Sequence, residues 1–346
     1  MGQPFYRNIG ENMKVLLIDT TKAFLTPGGK TTHALKLQQE ISKLGVDIEF
    51  AQWWDSAQSD ADIIHFLSGD TYTARLAKQK GMKTFFSMIF DFESNKSPWE
   101  KIVARIKIKV KSLFLKNAYW QSLQFMDCVQ FMHTYDMNCA KQYFSSFLSS
   151  RKTIVIPHAY DPLDINISDH LNIDSMHFPA KYLVSCANIS PRKQSLKLAK
   201  IAKQAHVPIV FLGSHGNDEY FSLFKNEIDN KYAFYPGYVS KEWKDCIEKN
   251  ASGYVLLSLG ESGCIAVYEA AAYKMPLLLS NLPWAWGYEN PIDIFFCDQQ
   301  NEKKATKQLK DFYEKACKLD HYPFSIRTWS DVAQDYVNCY KQLLKQ

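Results

Sequence analysis

Short apolar runs alternate with amphipathic stretches of helical length along almost the whole chain. Such runs are typical of parallel strands buried on both faces, and the amphipathic stretches predict helices that cover those faces. A first series predicts strands at Lys14–Asp19, Asp47–Trp53, Asp62–Leu67, Lys83–Phe90, Cys128–Met132 and Thr153–Ile156, with helices that begin near Lys30, Thr71, Pro98 and Asp136. The pattern therefore predicts a first α/β unit.

A polar, irregular stretch from Pro157 to Pro179 interrupts the pattern, which then starts again. The second series predicts strands at Tyr182–Ala187, Pro208–Gly213, Ala233–Tyr238, Gly253–Leu259, Pro276–Ser280 and Ile292–Phe296, with helices that begin near Lys193, Asp218, Lys241 and Cys264 and a final pair at Glu302–Lys318 and Ser330–Leu344. We therefore expect an amino-terminal domain over residues 1–160, a linker over 161–180 and a carboxy-terminal domain over 181–326. The last segment, 327–346, is expected to return to the first domain.

The length of 346 residues and the hydrophobic content of 46% suit two folded domains of ordinary size. The predicted fold class is α/β, with two Rossmann-like doubly wound domains. Ligands of such sheets bind beyond the carboxyl ends of the strands. We therefore expect the two domains to face each other across a cleft that holds the active site.

Two glutamates follow the strand predicted at Gly253–Leu259. Glu261 lies in the loop between this strand and the next helix, and Glu269 lies about two turns further on. A helix start offers backbone N–H groups and a positive dipole end that suit a diphosphate, and the two carboxylates can accept hydrogen bonds from sugar and ribose hydroxyls. The alternative is that Glu261 only caps the helix and that Glu269 is a solvated surface charge.

The segment from Pro236 to Pro276 resembles the donor-binding half of the family 4 retaining glycosyltransferases, which have the GT-B architecture. The family hallmark is a glutamate, seven residues and a second glutamate, which is Glu261-Ser-Gly-Cys-Ile-Ala-Val-Tyr-Glu269 here, followed by an alanine-rich helix. Weaker likenesses extend over nearly the whole chain, at Pro27-Gly28-Gly29, Val155-Ile-Pro-His-Ala-Tyr-Asp161, Ser190-Pro-Arg-Lys193 and Tyr235-Pro-Gly-Tyr-Val-Ser-Lys-Glu-Trp243. The resemblance implies a retaining enzyme that moves a sugar from a nucleoside-diphosphate sugar to a glycan or lipid-linked glycan.

The resemblance also implies roles for individual residues. Glu261 is expected to face the donor sugar and Glu269 the ribose, while Lys193 matches the phosphate-contacting lysine of the family. Asn188 stands where an arginine is common, and Arg192 is expected to replace it. The other donor contacts implied are Gly28, Gly29, Ser262, Gly263, Cys264 and Ile265. Enzymes of this architecture usually work without a metal, so no metal or further cofactor is expected. A basic helix start on the surface is the alternative explanation of Arg192 and Lys193.

The sequence departs from the family pattern at the end of the strand predicted over Lys83–Phe90. Phe90 occupies a place where many members have a histidine near the donor sugar, which favours a sugar without a polar group at carbon 6. Asp91, His133 and His158 are further candidates for contacts with acceptor or sugar, although a lone histidine is more often structural. Two alternative functions therefore stay open: a non-catalytic protein of this architecture that binds nucleotide sugar or glycan, and an epimerase, for which no acid and base set is evident.

Residues 96–116 carry seven Lys or Arg and one Glu, a local charge of +6 in a chain whose net charge is +5. A nucleic-acid binder would spread or repeat its charge, so this segment points to another partner. On a helix, Ile102, Val103, Ile106, Val110, Leu113 and Phe114 fall within about a third of the circumference and basic residues fill the remainder. Such a helix would suit an anionic membrane surface. The alternatives are an ordinary amphipathic helix packed on the first domain with solvated lysines, and a strand through the alternating run at 106–111.

Targeting and redox signals are absent from the sequence. No apolar run has the roughly 18 residues of a membrane-spanning helix, and the run Val15–Ile18 is too short for a signal peptide. Eight cysteines without any C-x-x-C pair favour reduced thiols over disulfides or a zinc site. The sequence therefore predicts a cytoplasmic protein, with peripheral attachment to the cytosolic face of a membrane if the basic segment binds lipid.

Overall fold

The structure is a computed structural model that describes residues 13–20, 28–90, 96–115, 117–160, 171–216, 218–237, 239–286, 288, 294–319 and 327–345. These residues form two compact units. The first is drawn from Met1–Phe90, Lys96–His158 and Arg327–Gln346, and the second from Ala159–Ile326. The described half of the predicted linker, 171–180, belongs to the second unit, because Ile173 and Phe178 pack against its core.

Each unit is built around a six-stranded parallel sheet. The strands are, in chain order, β1 (Lys14–Ile18), β2 (Asp47–Phe50), β3 (Ile63–Phe66), β4 (Lys83–Met88), β5 (Cys128–Phe131), β6 (Lys152–Val155), β7 (Leu183–Cys186), β8 (Ile209–Leu212), β9 (Ala233–Phe234), β10 (Gly253–Leu256), β11 (Leu277–Ser280) and β12 (Ile294–Cys297). The first sheet has the order β2-β1-β3-β4-β5-β6 and the second the order β12-β11-β10-β7-β8-β9. All neighbouring strands are parallel.

Helices connect the strands in both units. They are α1 (Gly29–Lys43), α2 (Thr71–Gln79), α3 (Pro98–Phe114), α4 (Thr134–Tyr143), α5 (Ser145–Leu148), α6 (Ser195–Ala205), α7 (Glu219–Asn226), α8 (Lys241–Asn250), α9 (Ile265–Ala272), α10 (Glu302–Ala316) and α11 (Trp329–Leu344). Short 3₁₀ turns occupy Ser56–Asp60, Tyr119–Phe125, Ile173–Met176 and Pro283–Ala285. Among the described helices, none is both long enough and apolar enough to cross a membrane.

The predicted alternation of strands and helices is confirmed, and the α/β fold class with it. The main difference concerns β9, which ends at Phe234 although the apolar pattern extends to Tyr238. Pro236 has no N–H group to donate to a neighbouring strand, and Gly237 has a φ of 82° that no strand allows. Helix α5 and the turn Tyr119–Phe125 were not expected from the pattern.

Helix α11 packs against α1 in the first unit and inserts two buried tyrosines against the sheet. The Tyr340 hydroxyl lies 2.6 Å from Nδ1 of His65, whose Nε2 lies 2.8 Å from the Ser87 hydroxyl. Tyr336 donates to the side chain of Gln130 at 2.8 Å. This buried network joins α11 to β3, β4 and β5, and it pairs polar groups that would be costly to bury alone.

Two further histidines are buried beside α11. The ring of His33 lies 4.9 Å from that of His158 and 5.6 Å from that of Trp329, between ring centroids. Burial, and then the nearby charge of Lys30, lower the pKa of His33 to about 4. Burial, and then His33, hold the pKa of His158 well below its usual value. Both rings are therefore neutral at pH 7.

We expect the first unit to lose stability in mild acid. The pKa of His33 in the folded state lies below its value of about 6.5 in an unfolded chain, so the unfolded state binds the extra proton more readily between these values. Stability therefore falls as the pH drops from about 6.5 towards 4, and His33 alone contributes about 2 kcal/mol of this loss at pH 5.

Urea unfolding at pH 7.5 and pH 5.0 measures this loss, and His33→Leu should reduce it by about 2 kcal/mol. The exposed His206, replaced by Asn, is the control. An equal loss in the wild type and in H33L would contradict the assignment of this acid sensitivity to His33.

Candidate active site

The candidate site lies where the second sheet reverses its strand order. β7 is the first strand of this sheet along the chain, and β10 and β8 flank it. Ligands of doubly wound sheets bind beyond the carboxyl ends of the strands at such a switch point. Asn188, Arg192 and Lys193 follow β7, while Ser258 and Glu261 follow β10. The topology therefore brings together two segments that are far apart in the sequence.

The carboxylate of Glu261 is at the centre of this group and is only 7% exposed. Lys193 Nζ lies 2.5 Å from its Oε1, and Arg192 Nη1 lies 3.0 Å from its Oε2. Arg192 also donates to the carbonyl oxygen of Gly260 at 2.7 Å, and the Ser258 hydroxyl donates to Glu261. Two cations and one carboxylate leave a net positive charge at the carboxyl end of the sheet.

Helix α9 begins next to Glu261. Its N-cap residue is Cys264, so the alternative interpretation of Glu261 as a helix cap is wrong. Gly263 has a φ of 65°, which favours glycine, and this conformation turns the chain from Glu261 into the helix. Ser262, Gly263, Cys264 and Ile265 therefore form the entry to α9, where the dipole favours an anion.

Glu269 belongs to a second cluster in the same unit and is also 7% exposed. Its Oε1 accepts a hydrogen bond from the Tyr160 hydroxyl at 2.9 Å and forms an ion pair with Lys244. Lys244 Nζ also lies 3.7 Å from Glu248, which is fully buried. The alternative interpretation of Glu269 as a solvated surface charge is therefore wrong.

Lys244 is the cation that compensates these buried acids. Burial lowers its pKa, but Glu248, Cys186 and Glu269 raise it by more, so the ammonium stays charged. Burial, and then Glu269, hold the pKa of Glu248 well above its usual value. The cluster is therefore close to neutral, with the Lys244 ammonium, the Glu269 carboxylate and a protonated Glu248.

The same cluster includes the one group of potential metal ligands found among the described residues. Cys186, Glu248 and Glu269 place ligand atoms within 4.8 Å of one another. Burial, and then Glu248, hold the pKa of the Cys186 thiol well above its usual value, whereas a metal binds the thiolate. Because Lys244 already supplies the positive charge, these residues fit a metal ion poorly.

Asn188 is exposed just beyond β7, and its Oδ1 accepts a hydrogen bond from the Ser214 hydroxyl at 3.0 Å. Gly213, which precedes Ser214, has a φ of 146°, and a Cβ there would lie 2.2 Å from the carbonyl oxygen of Ala187. The backbones that follow β7 and β8 therefore approach closely. Asn188 is thus held at the same end of the sheet as Lys193.

The switch point of the first sheet lies at β1, between β2 and β3. Gly28 is the N-cap of α1 and Gly29 begins the helix. Apart from its chain neighbours, no atom of the described residues lies within 4 Å of a Cβ placed at Gly28. Lys30 Nζ lies 2.6 Å from Asp19, and the Ser68 hydroxyl donates to Asp19 at 2.8 Å. Asp19, Lys30 and Ser68 were not predicted as site residues, although Asp19 directly follows β1 and Ser68 lies two residues beyond the end of β3.

Three residues predicted to contact acceptor or sugar have structural surroundings instead. Phe90 is 2% exposed and packs against the rings of Tyr143 and Phe144, which argues against a contact with sugar. His133 caps α4 by accepting a hydrogen bond from the backbone of Tyr135 at 3.0 Å. His158 lies in the buried aromatic cluster described above. Asp91 lies outside the described residues.

Comparisons with known proteins identify the fold. No family model and no curated protein matches the chain. Sucrose-phosphate synthase from Thermosynechococcus elongatus is 12% identical with a TM-score of 0.65, over 97% of this chain and 99% of that one. The Escherichia coli trehalose-6-phosphate protein bound with UDP-2-fluoro glucose is 11% identical with a TM-score of 0.66, over 96% and 99%.

A structure of trehalose-6-phosphate synthase, from work on glycosyl transfer with retention, is 10% identical with a TM-score of 0.64, over 95% and 99% of the two chains. The two six-stranded parallel α/β sheets thus match GT-B glycosyltransferase structures. Identities this low establish the fold and leave the activity to be argued from the site.

Replacing Lys244 by Met is expected to destabilise the second unit. The variant keeps the length of the side chain but leaves the buried carboxylate of Glu269 without its cation, which costs about 3–5 kcal/mol for a buried pair. A second substitution, Glu269→Gln, should restore part of this loss because it removes that carboxylate. Urea unfolding of K244M and K244M/E269Q measures both effects.

The control for this prediction is Lys225→Met, which removes an exposed lysine from α7 of the same unit. Its cost should stay below about 1 kcal/mol, as for most surface substitutions. Equal stability of K244M and the wild type would contradict the role assigned to Lys244.

Proposed function

We propose that the protein is a retaining glycosyltransferase that moves a sugar from a nucleoside-diphosphate sugar to a glycan or lipid-linked glycan, without a metal. The observation that carries this proposal is the group of Arg192, Lys193 and Glu261 at the switch point of the second sheet. This group lies beside the start of α9. A diphosphate is the ligand whose charge and size suit two cations and a helix start.

The chemistry of sugar transfer explains why cations are needed here. When the bond from the anomeric carbon to the diphosphate breaks, negative charge develops on the leaving oxygen. Groups fixed in advance around that position stabilise the charge with little reorganisation. The Lys193 side chain is 11% exposed and held by Glu261, while Arg192 is 46% exposed and able to turn towards a phosphate.

The two glutamates are assigned binding roles in this proposal. Glu261 would accept hydrogen bonds from hydroxyls of the donor sugar, and Glu269 from hydroxyls of the ribose. Neither is assigned as a nucleophile, because both carboxylates are already engaged by cations and hydroxyls. Retention then follows a front-face route, in which the acceptor hydroxyl attacks the anomeric carbon on the side from which the diphosphate leaves.

The structural neighbours support the choice of donor. One of them is bound with UDP-2-fluoro glucose, and another was studied for glycosyl transfer with retention. Their fold covers nearly all of this chain, including both switch points. A nucleotide sugar is therefore the first donor class to test.

Thermal-shift measurements with UDP, GDP, ADP and their sugars should identify a stabilising nucleotide, and labelled sugars of that nucleotide should then be transferred or hydrolysed. Lys193→Ala is expected to lower kcat by about 100- to 1,000-fold, as the loss of a single group that stabilises transition-state charge does. Lys200→Ala, which removes an exposed lysine of α6, is the control and should keep wild-type turnover.

The same experiments separate the proposal from its alternative. Stabilisation by a nucleotide sugar without transfer or hydrolysis would favour a non-catalytic binding protein of the same fold. Turnover by K193A equal to that of the wild type would contradict the assignment of Lys193 to the leaving group.

A further inference from the structure

Helix α3 has an apolar stripe that the first unit leaves exposed. The stripe consists of Ile102, Val103, Ile106, Val110, Leu113 and Phe114. The helix begins with a capping box in which the Ser97 hydroxyl accepts from the backbone of Glu100, and Glu100 accepts from the backbone of Ser97. It runs without interruption to Phe114, so the helix predicted for this segment is confirmed and the alternative of a strand through 106–111 is wrong. None of its residues is fully buried.

The side of α3 that packs on the core is the side opposite the stripe. Ala104 and Ile108 contact the core of the first unit. At about 100° per residue, the centre of the stripe lies about 180° from Ile108. Along the stripe, Ile106 is 56% exposed, Leu113 is 81% exposed and Phe114 is 79% exposed. The fold therefore presents the larger apolar face of the helix to solvent.

Cations lie on both sides of this stripe. At the same rotation per residue, Arg105 and Lys109 fall on one flank, and Lys107 and Lys111 on the other. All four are exposed. The only acid on the helix is Glu100, in its first turn. The exposed face of α3 thus combines an apolar centre with basic margins.

The stripe continues into a groove beside α3. The groove has a volume of about 650 Å³ and lies between α3 and residues 142–147. Its apolar lining consists of Ile102, Ile106, Ile108, Val110, Leu113, Tyr143 and Phe147, and the cations Arg105 and Lys109 line it as well. This extends the exposed apolar surface beyond one helix.

We propose that the exposed face of α3 docks on the surface of a bilayer that contains anionic lipid. An apolar centre with basic margins is the pattern of helices that lie in the membrane interface, where the apolar side chains enter the acyl boundary and the cations meet lipid phosphates. A protein partner would have to offer an acidic rim around an apolar patch, whereas an anionic bilayer offers both over any area. The inference does not depend on the proposed transferase activity.

Vesicle flotation with the whole protein tests the proposal. The protein should float with vesicles that contain phosphatidylglycerol and phosphatidylcholine, and much less with phosphatidylcholine alone. The variant K107Q/K109Q/K111Q should weaken binding to the anionic vesicles on the order of 100-fold, because each lysine near such a surface contributes about a fivefold factor. The variant I106S/L113S should weaken it at least tenfold through the loss of buried apolar area.

Matched controls use the same changes elsewhere. K303Q/K307Q/K310Q removes three exposed lysines from α10, and L35S/L223S removes two exposed leucines from α1 and α7. Both should float like the wild type. Because the substituted side chains of α3 are exposed, thermal melting should show that I106S/L113S remains folded.

Three results would overturn the proposal. The first is no flotation of the wild type with anionic vesicles, and the second is equal flotation of the wild type and both α3 variants. The third is light scattering that shows a dimer in the wild type and a monomer in I106S/L113S, which would assign the stripe to a second copy of the chain.

Discussion

A parallel strand that is buried on both faces can offer polar chemistry only at its ends. In this protein all four residues are buried in each of the strands β3, β8 and β10. In β7 the first three residues are buried, and helices cover the sheets. Polar side chains that could bind a ligand therefore collect in the loops beyond the carboxyl ends. The strand order then decides which loops are neighbours, and β7 between β10 and β8 joins the Lys193 segment to the Glu261 segment.

Charge compensation is the second constraint on the site. A carboxylate as little exposed as Glu261 or Glu269 stays ionised at low cost only if cations and hydrogen-bond donors surround it. Lys193, Arg192 and Ser258 supply them for Glu261, and Lys244 and Tyr160 for Glu269. The same contacts that stabilise the fold also orient the carboxylates.

The first unit uses its buried polar groups differently. His33, His65 and His158 lie in or beside the contact of α11 with the sheet, and their surroundings keep the rings neutral. Together with Tyr336 and Tyr340 they build a specific interface for the last helix. Histidine in this unit is therefore part of the architecture, and the polar group of its switch point is Asp19 with Lys30 and Ser68.

Much of this could be predicted from the sequence, because strand and helix patterns are local. The period of apolar residues predicted the strands and most helices, and it correctly assigned Glu261 to the loop before α9 and Glu269 to that helix. Burial of individual polar residues depends on contacts with distant segments, so the pattern could not show that Phe90 lies in the core or that Lys244 pairs with Glu269. For the same reason the pattern could not decide whether the apolar face of α3 packs on the first unit or meets solvent.

The sequence alone thus determined the two α/β units and the position of the glutamate pair within the second, because both depend only on residue type and local spacing. Only the tertiary structure decided the partners of each carboxylate, the buried state of the histidines and which face of α3 meets solvent. These depend on strand order and helix packing, which bring together residues tens to hundreds of positions apart in the chain.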